Sequence, residues 1–480
     1  WQRWATRKHR YGGMLAFVYQ SAVASLLDSD GLHTKLQAIA DAKANQYDCA
    51  IAIGVQTGSE AVAVASQGSA VTDRFVWGSV TKQFTGVALL QLAEAGMLDL
   101  DMPVQAHLDP ILARLGLRSL TALFGKGASK ITARHLASMQ SGVPDFDTAK
   151  PYPRPAVDPF RAEVYAEPTH DWGPAGLINQ SWVATGSLEF TPGEQTQYSS
   201  TNFVLLGLLL AQLTGARAWD AYEQRALLDP LPAARRALYS HLTFGVHGAP
   251  AERTKVHGYD RTSYNGGDPA ARPGRDVWRV AGVYAGWTAS DVTASVADIA
   301  RFGYDLYGAR PPHLLSAASR ALMVPPEVPQ GAGLHFPYGF AAFNLSSMIS
   351  GRPSSGPYRT AYGHLGATYG YQSILAYYPG ADVAISVASN IEQDTQAQPS
   401  DTLCSAYNAV LPVLTPAAQE QCSFASTGYF GGCACEGGGT YKCNRLLGMC
   451  VRSKTGSLSE PECEASCGVT LTTVEAAAAA

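Results

Sequence analysis

Apolar residues recur along this chain in two rhythms. Over 31–45, Leu32, Leu36, Ile39 and Ala40 fall at helical spacing and predict a helix. The runs 49–56 (CAIAIGVQ) and 60–66 (EAVAVAS) flank a Thr-Gly-Ser turn and predict a hairpin. Helical rhythm returns over 87–97, which ends beside Gly96 before Pro103 forbids continuation. It appears again over 131–147, closing on Ser-Gly-x-Pro, and from the Pro-Gly turn after Thr191 to about Leu213. A short helix is predicted over 295–306. From Tyr338 the pattern is β-like: YGFAAFN, then 363–378 (GHLGATYGYQSILAYY), then 382–389 (DVAISVAS). A closing helix follows over 401–411. Segments 148–190 and 246–290 are rich in glycine, proline or aromatics and predict irregular excursions.

Helix and hairpin first, helices in the middle, strands and helix last: this order predicts an α+β fold, an α/β sandwich. An antiparallel sheet completed by both ends of the chain is flanked by helices, with a helical subdomain inserted. The expected division is a leader over 1–30, the main domain over 31–413, a Cys-rich module over 416–470 and a low-complexity end over 471–480.

Composition alters this picture at the two ends. The chain has 480 residues, 46% hydrophobic and 15% charged, with net charge −4. It is thus a folded protein with no basic excess for a nucleic acid, and no apolar run is long enough to cross a membrane. The first residues place a basic segment before about a dozen mostly apolar ones, the order of a secretory signal. An incomplete start has the same look, with Met14 as a candidate initiator. Of nine cysteines, seven lie between Cys422 and Cys467 in a Gly-rich, apolar-poor stretch. Such a segment needs staples, and disulfides in an extracytoplasmic protein are expected over zinc, because histidines and paired C-x-x-C knuckles are missing there. Seven is odd. Cys404 is the near outside partner; a Cys49–Cys404 pair is the alternative. The module itself is expected to make a ligand or surface contact, from composition alone.

The candidate chemistry centres on 75–86, FVWGSVTKQFTG. If a helix starts near Ser79, Ser79 and Lys82 share one face about one turn apart. An amine there can take a proton from a hydroxyl and leave the nucleophile at the positive end of a helix dipole. One S-x-x-K is within chance, so partners decide. Tyr198, in PGEQTQYSSTNF before an apolar helix, can act as a general base if a lysine lowers its pKa; half-buried packing is the alternative. His364-Leu365-Gly366 precedes a strand, and its glycine permits close approach of a substrate. A backbone N–H there, that of Ala367, can join that of Ser79 as an oxyanion hole. By itself His364 reads as structural.

Together these segments resemble the serine β-lactamase-related family, which includes class C β-lactamases, D-alanyl-D-alanine carboxypeptidases, esterases and D-aminopeptidases. The matching stretches are GSVTKQFTGVALLQLAEAGMLDLDMPV, ITARHLASMQSGVPDFD, TPGEQTQYSSTNFVLLG, SVADIARF, YGF and GHLGATYGYQS, in the family's order over about 31–413. The resemblance implies that Ser79 is the acylated nucleophile, Lys82 its proton partner and Tyr198 the general base. His364 and Gly366 then replace the family's Lys-Thr-Gly triplet, with Ala367 and Ser200 at the substrate. Ser200 stands where the family has Asn, and Asn202 is out of register. With the His-x-Gly triplet, this turns the expectation from antibiotics toward esterase or D-amino-acid peptidase chemistry. A true β-lactamase or D,D-carboxypeptidase, and an inactive binding protein, are the alternatives. Lys454-Thr455-Gly456 spells the triplet literally but lies in the Cys-rich stretch with no apolar strand behind it. His135 reads as packing. A small-molecule or peptide acyl substrate is expected, with no cofactor and no metal.

Overall fold

The computed structural model describes residues 30–147, 158–262, 271–324, 338–346, 358, 360–394, 396–418, 422, 441–444 and 449–452. Its frame is a six-stranded antiparallel sheet. The strands are β1 (Ile51–Gln56), β2 (Ala61–Ala65), β3 (Phe343–Asn344), β4 (Tyr362–Thr368), β5 (Tyr371–Tyr378) and β6 (Val383–Ser389), in the order β2-β1-β6-β5-β4-β3. Ile53 faces Val387 across β1 and β6, and Leu365 faces Ile374 across β4 and β5. The first hairpin and the last thus meet at the centre of one sheet.

Every residue of β1, β5 and β6 is buried. Such strands read as continuous apolar runs because helices cover both faces. Helices α1 (Asp30–Tyr47) and α5 (Ala397–Leu414) pack together over one side, and α4 (Val296–Tyr307) packs from the other. The inserted region holds α2 (Thr81–Glu94) and α3 (Ser200–Leu213). Nearly all of α3, STNFVLLGLLLAQL, is buried, so it is the core of that region rather than a surface helix.

Two expectations change. The helix over 131–147 is confined to Ala133–Ala137. Left-handed Met139 (φ 59°) bends the chain, and residues 139–147 bond sideways to 197–202 instead of to their own turn. The excursion over 148–190 contains, among its described residues, helices Pro159–Ala166 and Pro174–Ile178, each opened by a proline already set for the first turn.

Cys404 on α5 pairs with Cys422, 18 residues on, while Cys49 is a free thiol. The first of the two cysteine alternatives is therefore the one realised. In the tail a hairpin, Tyr441–Asn444 with Met449–Arg452, sets Cys443 opposite Cys450. The leader, Lys454, the other tail cysteines and the low-complexity end lie outside the described residues. Among the described residues no helix is long and apolar enough to cross a membrane.

One buried charge network ties the inserted region to the sheet. Arg161, from Pro159–Ala166, donates to both Glu392 oxygens at 2.7 and 2.6 Å and lies 3.6 Å from Asp260. The hydroxyl of Tyr165 donates to Asp260, and the Gly370 N–H donates to Glu392 at 3.1 Å. Removing one member of a buried pair strands the other's charge. Arg161→Met should therefore lower stability by about 3–5 kcal/mol, read as a fall in the denaturant midpoint at unchanged slope.

Candidate active site

Ser79 sits in a 3₁₀ turn, Gly78–Val80, that feeds α2. Gly78 holds φ 51°, and a Cβ on it would lie 2.7–2.9 Å from the backbone of Ala367. A Cβ on Gly366 would lie 2.0 Å from the Trp77 carbonyl oxygen, which also accepts from Ser373 Oγ at 2.9 Å. Two glycines thus let the turn before Ser79 lie directly on β4. The close approach expected for a substrate at Gly366 is made instead by the chain itself. One consequence is that Ser79 and Ala367 line the same cleft.

Lys82 is fully buried, and its Nζ donates to three oxygens: Ser79 Oγ at 2.9 Å, Ser200 Oγ at 3.2 Å and the Ala289 carbonyl at 3.2 Å. All three ammonium hydrogens therefore have acceptors. The Ala289 carbonyl is presented by the segment 286–291, in which Trp287 holds the left-handed conformation (φ 44°) and Thr85 Oγ1 donates to the Thr288 carbonyl at 2.6 Å. Burial lowers the Lys82 pKa to about 7, against the pull of Asp145 and Asp147 in the other direction. Near neutrality the amine can lose a proton, and its lone pair can then accept from the Ser79 hydroxyl.

Tyr198 lies near Ser79, whose hydroxyl favours the charged form of the phenol, and the Lys82 Nζ lies 5.0 Å from its ring centroid. Burial raises its phenol pKa despite that hydroxyl, and Asp145 and Asp147 raise it further. A resting tyrosinate, expected from a nearby lysine, is thus disfavoured. His364 is fully buried, 6.3 Å ring to ring from Tyr198, and does not line the cleft. Its Nδ1 faces the Leu365 carbonyl, which can only accept, so Nδ1 carries the proton. Burial and the charge of Lys82 hold its pKa well below the ordinary range. The neutral ring then accepts from the Tyr338 hydroxyl through Nε2 at 3.1 Å. Ser200 reaches both Lys82 and the cleft. Asn202 turns away, accepting from Ser141 Oγ at 2.6 Å. His135 caps its own short helix together with Thr132.

Two carboxylates went unread in the sequence. Asp145 is buried and accepts the Ser200 N–H at 2.9 Å through Oδ1. It belongs to a ladder between two strips of chain: the Gln197 N–H donates to the Met139 carbonyl, Ser199 Oγ to the Pro144 carbonyl, and the Phe146 N–H to Thr201 Oγ1. Asp147 is half-buried and lines the cleft beside Phe146, Arg161 and Tyr369. The only signal was two acids flanking Phe146 after a Gly-x-Pro bend. Among the described residues no His, Cys, Asp and Glu side chains converge as a metal-binding group.

A model of the Beta-lactamase family matches residues 38–403. Protein flp of Staphylococcus aureus (strain NCTC 8325 / PS 47) is 26% identical over 160 residues, 33% of this chain and 27% of that protein. The chain therefore spans about a quarter of that relative's length. Among solved structures, a D-stereospecific amidohydrolase from Streptomyces sp. is 22% identical with TM-score 0.56, covering 80% of this chain and 99% of its own. The D-amino acid amidase from Ochrobactrum anthropi SV3, complexed with L-phenylalanine amide, is 17% identical with TM-score 0.57, covering 79% and 98%. The octameric penicillin-binding protein homologue from Pyrococcus abyssi is 21% identical with TM-score 0.54, covering 79% and 77%. At these identities the likeness to solved structures is one of fold.

The carboxylate of Asp145 favours the charged form of Lys82, so removing its charge should free the amine at lower pH. Asp145→Asn keeps an oxygen for the Ser200 N–H. The expected result is that the rise with pH in the rate of Ser79 labelling by a fluorophosphonate moves down by about one unit. A limb that stays fixed or moves up contradicts this electrostatic reading.

Proposed function

This chain belongs to the Beta-lactamase family, and we propose that it is a serine hydrolase that cleaves an ester or amide through an acyl-enzyme on Ser79. The observation that carries this reading is the buried Lys82 held 2.9 Å from Ser79 Oγ with its pKa brought to about 7 by burial. In the proposed reaction, Ser79 Oγ bonds to the substrate carbonyl carbon as its proton passes to Lys82 Nζ. The oxyanion faces the backbone N–H groups of Ser79 and Ala367. The carbonyl carbon then loses its bond to the leaving nitrogen or oxygen, which takes the proton. Water adds to the acyl ester, and the acid product departs as Ser79 regains its hydrogen.

Lys82 is the base in this scheme. Tyr198 acts as a neutral phenol that passes a proton between Ser79 and the leaving group. His364 is a positioning residue packed behind Tyr198 rather than a group at the substrate. Ser200 and Gly366 complete the wall, with Ser200 on Lys82 and Gly366 beneath the nucleophile turn. The one-hydroxyl Ser200 at the amide position of the family motif supports ester or amino-acid amide substrates over β-lactam antibiotics. The names of the solved amidases support the same substrate side. The Cys404–Cys422 disulfide supports an extracytoplasmic setting. The Cys-rich tail would make a surface or ligand contact there.

Intact-mass measurement after exposure to a fluorophosphonate should show one adduct, on Ser79, that Ser79→Ala and Lys82→Ala abolish. No adduct on folded protein would sink the hydrolase reading, and a chromogenic cephalosporin turned over far faster than short-chain esters would sink the ester or amide preference. Lys454→Ala should leave ester turnover nearly as it was, whereas His364→Ala should lower it about tenfold or more. The reverse pattern would give the third motif to Lys454.

A further inference from the structure

The cleft beside Ser79 has two charged side chains in its wall, Asp147 and Arg161. They are not equivalent. Arg161 spends its guanidinium on both oxygens of Glu392, stands 3.6 Å from Asp260 and lies 4.3 Å from the Tyr369 ring centroid. With two buried carboxylates around one guanidinium, it brings no net positive charge to the cleft. Asp147 is half-buried and, among the described residues, has no cation within ion-pair distance. Its nearest side-chain donor is the Tyr369 hydroxyl at 3.5 Å, a long contact. Its negative charge also reaches other groups. After the effect of burial, it helps to raise the pKa values of Asp145 and Asp158. An anionic substrate group placed beside Ser79 would meet this carboxylate; an ammonium would be attracted by it.

We propose that Asp147 is a specificity residue that holds a substrate ammonium group, so that the acyl substrate is an amine-bearing ester or amide of the α-amino-acid type. This rests on the assignment of the Ser79 cleft as the substrate site. Phe146 and Tyr369 add apolar surface to the wall that holds the carboxylate, and Ser79 lies in the same small cleft. The separation between acyl carbon and cation is therefore short, as it is in an α-amino-acid derivative. A substrate whose amine is acylated loses the charge and leaves Asp147 facing an amide.

The test measures binding apart from turnover. Calorimetry on the Ser79→Ala protein at about pH 6.5, where an α-amine is charged, should show phenylalanine amide binding at least tenfold tighter than its N-acetyl derivative. Asp147→Asn in the same background should bring the two affinities to within about twofold, by weakening only the free amine. Equal affinities for the two ligands, no binding of either, or a difference that survives Asp147→Asn would overturn the proposal. Fluorophosphonate labelling of the Ser79 protein reads the hydrolase assignment separately, so loss of one reading is distinguishable from loss of the other.

Discussion

The burial of one lysine constrains this site more than any other interaction. An ammonium removed from water costs several kcal/mol unless each hydrogen finds an acceptor. Lys82 finds three: Ser79 beside it and, from two distant stretches, Ser200 at the start of α3 and the Ala289 carbonyl in the strained segment before Asp291. Satisfying the amine therefore forces those stretches together. The same burial that makes the charged form costly makes the neutral amine accessible near pH 7, so one constraint sets both the packing and the protonation of Lys82.

Other features of the inserted region keep that tripod in register. The ladder from Met139 to Asp145 against Gln197 to Thr201 fixes where Tyr198 and Ser200 emerge. Gly78 and Gly366 let the turn carrying Ser79 rest on β4, at contact distances that a side chain would prevent. Arg161 and its two carboxylates anchor the helix that closes the cleft from the other side. Each device joins residues far apart in sequence, and each presents a backbone or side-chain group to the cleft around Ser79.

The electrostatic balance of the cleft follows from the same packing. Asp145 and Asp147 lie two residues apart on one bend, but the ladder buries the first and the cleft exposes the second. Burial of Asp145, with Asp147 beside it, pushes its carboxyl up to about 7. Asp147 lines the cleft half-buried. Two carboxylates on one short bend thus meet different surroundings, one buried in the ladder and one facing the cleft.

The fold and the pair at its centre were legible in the chain. Helical and alternating periodicities marked α1, the first hairpin, α3 and the late strands, because burial on one face or both imposes them locally. Ser79 and Lys82 were legible because one helical turn fixes their spacing. The expected helix over 131–147 failed because hydrogen bonds to a strip some sixty residues away replaced its own, and no local rhythm records such partners. Asp145, Asp147 and Arg161 were passed over for the same reason. A carboxylate becomes buried, paired or free only when distant segments close around it. The sequence by itself determined which residues could react; the tertiary structure decided their protonation, because desolvation depends on neighbours that the chain brings together only on folding.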